Sequence, residues 1–234
     1  MTFTDHLGEL RSRILYALAG WVPCSVGTWF VTPRLIRYMR MPIGHTELIF
    51  TRPTEAFMVY LKVAVIGGLF LSLPWILYQA AAFVMPGLEP SERRWIQSIV
   101  PASFVLFVGG ATFAYLCVLP VTMHFFLTFQ TADLKAMISL SEYIGFITMM
   151  LVVCGLIFQT PIVIVILAVL GFVNVQLLRK GRRWAILMIF VIAGIVTPSP
   201  DAFTQVVVAL PMVVLYEISI LLVRWLVKPS PKPS

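Results

Sequence analysis

Solidly apolar runs, most of them long enough to cross a lipid bilayer, recur six times in this chain, with little charge between them. A hydrocarbon core about 30 Å thick takes roughly 20 residues of α-helix. In lipid every backbone N–H and C=O must find a partner inside the protein, so only helices and closed barrels span it. The runs do not alternate polar with apolar residues, which argues against barrel strands. Composition points the same way. Of 234 residues, 60% are hydrophobic and 12% charged, where a soluble domain carries about a quarter charged. That is too little polar material to coat a water-facing globule, so the chain is predicted to be an all-α integral membrane protein.

The first span is expected over 14–31, with Pro23 inside it, and the second from Pro53 to about Ala82, Pro53 suiting a first helical turn. The third covers about 98–126 and the fourth about 143–170, kinked at Pro161. The fifth, 184–196, rises only about 20 Å. The sixth, 203–222, is interrupted by Pro211, and both of these last spans are expected to be short. Together residues 1–228 make one polytopic membrane domain, with 229–234 a flexible, Pro-rich cytoplasmic tail.

Lysine and arginine in the flanks set the orientation. The side holding both termini carries Arg11, Arg13, Arg93, Arg94, Arg179, Lys180, Arg182, Arg183, Arg224, Lys228 and Lys232, against Arg34, Arg37, Arg40, Arg52 and Lys135 opposite. An N-in, C-in arrangement follows, although the first outer loop is more basic than the rule favours. The net charge of +7 is thus spread over loops as topology signals, not gathered into an aromatic-lined groove for nucleic acid. Cys24, Cys117 and Cys154 all sit within apolar runs at spacings that suit neither a disulfide framework nor a metal site. Residues 1–13 contain Asp5 and Glu9 and no apolar stretch, unlike a cleaved signal. Phe3, Leu7, Leu10 and Ile14 fall at helical spacing, which predicts a short interfacial helix feeding the first span, with Glu9 facing the cytoplasmic side. His6 has no second His or Cys nearby in sequence and reads as an interfacial polar residue rather than a metal ligand.

Four segments carry a family pattern. The start, FTDHLGELRSRI, resembles the HLxELRxR signature of the TatC family, core receptors of the twin-arginine protein translocase. TRPTEAFMVYLK resembles its PxExFxxYxK segment through Pro53, Glu55, Phe57, Tyr60 and Lys62. PWILYQAAAFVMPGLEPSERR resembles the second-span exit and following loop through Pro74, Tyr78, Gln79, Phe83, Pro86, Gly87, Leu88, Glu92 and Arg93. TPSPDAFTQ followed by ALPMVVLYE resembles the exit of a short fifth span and the sixth span. The chain departs from the pattern at Ala81, where the family usually has Trp, and at Gln159, where it often has an intramembrane Glu.

The resemblance implies that Glu9 and Glu92 recognise the paired arginines of a signal peptide on a surface extending to Arg11, Arg93, Phe83, Pro86 and Leu88. The chemistry suits the task. Guanidinium presents a planar fork of donors that a carboxylate accepts bidentately, which an ammonium cannot reproduce. The competing reading is local: Glu9 lies four residues before Arg13, and Glu89 four before Arg93, both favourable helical ion pairs. The resemblance further implies Thr197, Asp201 and Gln205 as docking contacts for single-span subunits of the TatA and TatB types, self-association, no cofactor, and a bacterial inner-membrane location powered by the proton-motive force. The short fifth span and the sixth are expected to form a thinned membrane edge.

Polar groups inside spans are costly and suggest function by default. Lys62 is expected to pair with Glu55 or snorkel outward, Glu217 to meet Arg224, and Gln159 to hydrogen-bond between helices. No phosphate loop, metalloprotease helix or nucleophile elbow occurs, and His124 stands alone within its span, so an intramembrane enzyme is not expected. The alternative class, a small-solute secondary transporter, predicts an ionisable cluster at midplane between discontinuous helices, whereas the acids here collect at the cytoplasmic mouth and in outer loops.

Overall fold

The computed structural model describes residues 3–44, 48–84, 93–130, 137–197 and 201–226, with residues 3–5 and 93–98 as backbone path only. Helix α1, Phe3–Trp29, is one uninterrupted rod. The predicted interfacial helix is therefore continuous with the first span. Between Phe3 and Ile14 there is no proline, so every backbone N–H remains available to the helical ladder, and Ser12 Oγ turns back onto the Gly8 carbonyl (3.1 Å). After Trp29 the chain bends by 80° into α2, Thr32–Met39, with Pro33 in its first turn. A 3₁₀ turn, Met41–Ile43, follows, ending at Gly44 with φ +66°.

Helix α3, Glu55–Val84, begins two residues later than predicted. Pro53 lies in the turn ahead of it, because the Glu55 carboxylate reaches back to accept the N–H groups of Thr51 (2.7 Å) and Arg52 (3.3 Å) and fixes the start there. The third column is α4, Arg93–Phe113, a π-turn at Ala114–Val118, and α5, Leu119–Leu127. Pro120 offers no N–H and crowds the carbonyl four residues back, and the wider turn absorbs that clash. The fourth column breaks between α6, Leu140–Ile157, and α7, Thr160–Val169, ahead of Pro161 as predicted.

Helix α8, Val175–Val196, starts nine residues before its apolar stretch. The Asn174 side chain accepts from the Leu177 N–H (2.8 Å), and Arg179, Lys180, Arg182 and Arg183 fill the opening turns. Helix α9, Ala202–Leu226, runs 25 residues straight through Pro211. The expectation of a short sixth span is thus corrected: α9 is about 37 Å long at 1.5 Å per residue. Four columns are individually long and apolar enough to cross a membrane, and α1 with α2 makes a fifth if the bent pair is one span. The basic opening turns keep α8 outside that set.

One feature was not anticipated. Residues Leu48–Ile49 (β1) and Ile138–Ser139 (β2) pair in parallel, Leu48 opposite Ile138, and tie the loop before α3 to the start of α6. Its two-residue strands leave no alternation to read.

The rods approach closely where side chains are small, which is how helices associate without a hydrophobic drive between them. A methyl on Gly68 would fall 2.5 Å from the Ser25 backbone nitrogen, and one on Gly155 would strike the Phe107 ring. Val59, Val118, Leu119, Ile144, Ile147, Met150, Ala193 and Val208 form the buried centre. On the outside, Leu71, Val105 and Ile195 are each 65% exposed or more. An apolar surface of that extent needs lipid against it.

Candidate functional site at the mouth between the first two long helices

The polar groups of α1 and α3 converge where α1 begins and α3 ends. The two rods run antiparallel, with His6 stacked on Phe83 at one end (4.4 Å between ring centroids) and Trp29 edge-on to Phe57 at the other. The His6 ring is thus occupied by an aromatic face. Two turns further along α1, Arg13 lies between the helices. Its Nη2 donates to Glu9 Oε1 (3.3 Å) and its Nη1 to Oε1 of Gln79 (3.1 Å), which is buried. The local Glu9–Arg13 pair is therefore formed, and it is anchored across the interface rather than left free on one helix. Trp75 Nε1 donates to the Tyr16 carbonyl (2.8 Å) and pins α1 to α3 one turn deeper.

The Glu9 side chain is 21% exposed. Its second oxygen, Oε2, has no partner among the described residues. The mouth thus presents one carboxylate oriented by a cation, with one face still able to accept a donor. Phe83 is half-buried beside it, and Arg11 is exposed to solvent. Pro86, Leu88, Glu89 and Glu92 lie outside the described residues, as does the Arg93 side chain at the start of α4.

Two of the intramembrane expectations are corrected. Glu55 does not pair with Lys62. Its Oε1 accepts the Ser139 hydroxyl and the Ser141 N–H (2.8 Å), and its Oε2 accepts from Thr51 and Arg52. Of the two alternatives expected for Lys62, the pairing fails, and its Nζ lies beside Gly145 of α6. Glu217 binds Arg182 (2.8 Å), not Arg224, because α8 packs alongside α9 and brings Arg182 across, while Arg224 is two turns away along α9, beyond pairing reach. Gln159 does join helices as expected, its Nε2 donating to the Ser103 carbonyl (2.9 Å).

Where α8 ends and α9 begins, one of the three residues expected to dock partner helices, Gln205, ties these two helices to each other. Gln205 Nε2 donates to the Phe190 carbonyl (2.8 Å), Asp201 Oδ1 accepts the Thr204 N–H (2.7 Å) at the start of α9, and Thr197 is buried. The sequence reading missed the weight of Glu55. Beyond its place in the PxExFxxYxK segment, its signal was an acid in a first helical turn; its partners on β2 and α6 lie more than eighty positions away.

Lipid-facing helical columns, with charged groups gathered at their ends, define a polytopic α-helical membrane protein. Residues 5–211 match the family model described as Sec-independent protein translocase protein (TatC). A TatC protein from Carboxydothermus hydrogenoformans is 36% identical over 98% of this chain and 95% of its own length. One from Desulforapulum autotrophicum is 38% identical over 94% of this chain and 83% of its own. A crystal structure of the twin-arginine translocase receptor TatC superposes with a TM-score of 0.83 at 33% identity, covering 94% of this chain and 98% of that one. A second, in the detergent DDM, gives 0.84 at 32%. The chain belongs to the TatC family of Sec-independent protein translocase proteins.

Proposed function

We propose that this chain is the receptor subunit of a twin-arginine translocase, with both termini on the cytoplasmic side of a bacterial inner membrane. Glu9 and Glu92 grip the two guanidinium groups of a signal peptide on an incoming folded cargo. The observation that carries this reading is the half-buried Glu9 carboxylate, oriented by Arg13 through buried Gln79, with its Oε2 oxygen unengaged. A guanidinium docking there forms charge-assisted bonds in a partly dry setting, where they are stronger than in water. Phe83, held by His6, supplies an apolar wall for the residues flanking the arginines. Arg11, Arg93, Pro86 and Leu88 complete the proposed surface.

The chain needs no covalent step for this role: binding and release suffice, with the proton-motive force as the energy source. Partner subunits of the TatA and TatB types associate along the edge built by α8 and α9, where the short apolar part of α8 thins the bilayer. Exposed Leu187, Val191 and Ile195 on α8 are available to them. Neutralising Glu9 and Glu92 together to glutamine tests the receptor role. Binding of an Arg-Arg signal peptide to the purified chain is expected to be lost, and retained binding overturns the proposal.

A further inference from the structure

We propose that the end of the bundle away from both chain termini holds one anionic phospholipid, with an acyl chain in the groove beneath α2 and the phosphate against Arg34 and Arg37. A cavity of about 760 Å³ opens there between α1, α2, α3, α4 and α6. Its walls include Val63, Phe70, Phe104, Val108, Leu116 and Leu151. Two of its threonines turn their hydroxyls back onto their own helices, Thr28 to the Cys24 carbonyl (2.7 Å) and Thr148 to that of Ile144 (2.7 Å), and so leave methyl groups for the groove.

The dimensions fit one lipid leaflet. From Phe104 to Leu116 the groove follows twelve residues of helix, about 18 Å at 1.5 Å per residue, against about 15 Å for half of a 30 Å hydrocarbon core. An acyl chain ends at that depth, whereas a spanning partner helix does not.

The roof is built and fixed. Leu35, Tyr38 and Met39 of α2 line the groove. Tyr115 donates its hydroxyl to the Tyr38 carbonyl (2.7 Å) and Tyr143 to that of Met39 (2.9 Å), so α2 is tied down over the opening. Arg34 precedes Tyr38 by four residues and shares its side of the helix, and Arg37 neighbours Arg34 at i+3. Both arginines are exposed, and neither is in an ion pair among the described residues. They stand on the side that the distribution of positive charge leaves poor in cations, and the signal-peptide mouth at the opposite end does not use them. A guanidinium pair above an apolar slot is complementary to a phosphodiester carrying a hydrocarbon tail.

The test is native mass spectrometry of the full-length chain in mild detergent, titrated with phosphatidylglycerol or phosphatidylcholine. One phosphatidylglycerol per chain is expected to bind in preference to phosphatidylcholine. Arg34→Gln with Arg37→Gln is expected to weaken it by about thirtyfold, the scale of two arginines at an anionic surface. Val108→Trp, at a position 40% exposed and therefore tolerant of bulk, is expected to evict it with both arginines intact. Exchange of Arg179 and Arg183 at the other end to glutamine is expected to change nothing. Equal retention of the two lipids, unchanged retention in the groove variants, or loss confined to the Arg179 and Arg183 exchange overturns the assignment. So does a photoreactive residue at position 108 that captures a polypeptide rather than a lipid in native membranes.

Discussion

Arg13 reaches from α1 to Oε1 of Gln79 on α3, sixty-six positions away, at 3.1 Å, while its other nitrogen holds Glu9. A surface ion pair four residues apart stabilises a helix only slightly. Bracing by a buried amide changes its role, because the guanidinium then sets where the Glu9 carboxylate points. Gln79→Leu keeps the volume and removes the acceptor. Signal-peptide affinity, read by fluorescence anisotropy, is expected to fall by about 1 kcal/mol, the usual worth of one such bond, with the fold intact. Unchanged affinity would show that the brace does not shape the mouth.

Glu55 is the strongest single polar tie at the opposite end. Its two oxygens accept five hydrogen bonds, from Thr51, Arg52, Ser139 and Ser141, joining the turn before α3 to the start of α6. Glu55→Gln turns an NH₂ group toward one set of donors. The expected cost is about 3 kcal/mol, given the worth of bonds to a charged acceptor and the penalty for facing donors, seen as a lower thermal midpoint in detergent. A midpoint equal to wild type contradicts this account of that end of the bundle.

The ion pair between Arg182 and Glu217 makes the opposite prediction. Its side chains are 49% and 40% exposed, and pairs so open to solvent contribute less than about 1 kcal/mol. Arg182→Gln is expected to leave thermal stability near wild type. A large loss would mean that this pair, rather than the Gln205 and Tyr216 bonds to the α8 backbone, holds α8 against α9.

Close packing of α1 on α3 gives a steric test. Gly68→Ala places a methyl against the Ser25 backbone, which cannot move without parting the helices. Gly109→Ala meets nothing within 4 Å. The first is expected to abolish stable accumulation in the membrane. The second is expected to be neutral or to stabilise by about 0.5–1 kcal/mol through reduced backbone freedom. Similar behaviour of the two variants contradicts the packing described.

The helical columns were legible in the sequence because a bilayer demands length and apolarity, and both are visible in a linear chain. The break before Pro161 was legible for the same local reason. Lost were features that depend on what the tertiary fold brings alongside. Pairing of Glu217 with Arg182 needs the register between α8 and α9, and the partners of Glu55 need β1 set against β2. The expected span 203–222 fell short of α9 by one residue at its start and four at its end, and Pro211, read as an interruption, lies inside a continuous helix. At the mouth, Glu9 and Arg13 were readable at i, i+4 spacing. The part played by Gln79 was not, since nothing local links residue 79 to residue 13.

The most direct measurement is photocrosslinking of an Arg-Arg signal peptide to probes placed beside Glu9 and Glu92 in membranes, with a Lys-Lys peptide run in parallel. The account predicts strong adducts at both positions for Arg-Arg and a marked loss for Lys-Lys, because an ammonium cannot bridge a carboxylate bidentately. Equal adducts from the two peptides, or none at either position, would contradict it.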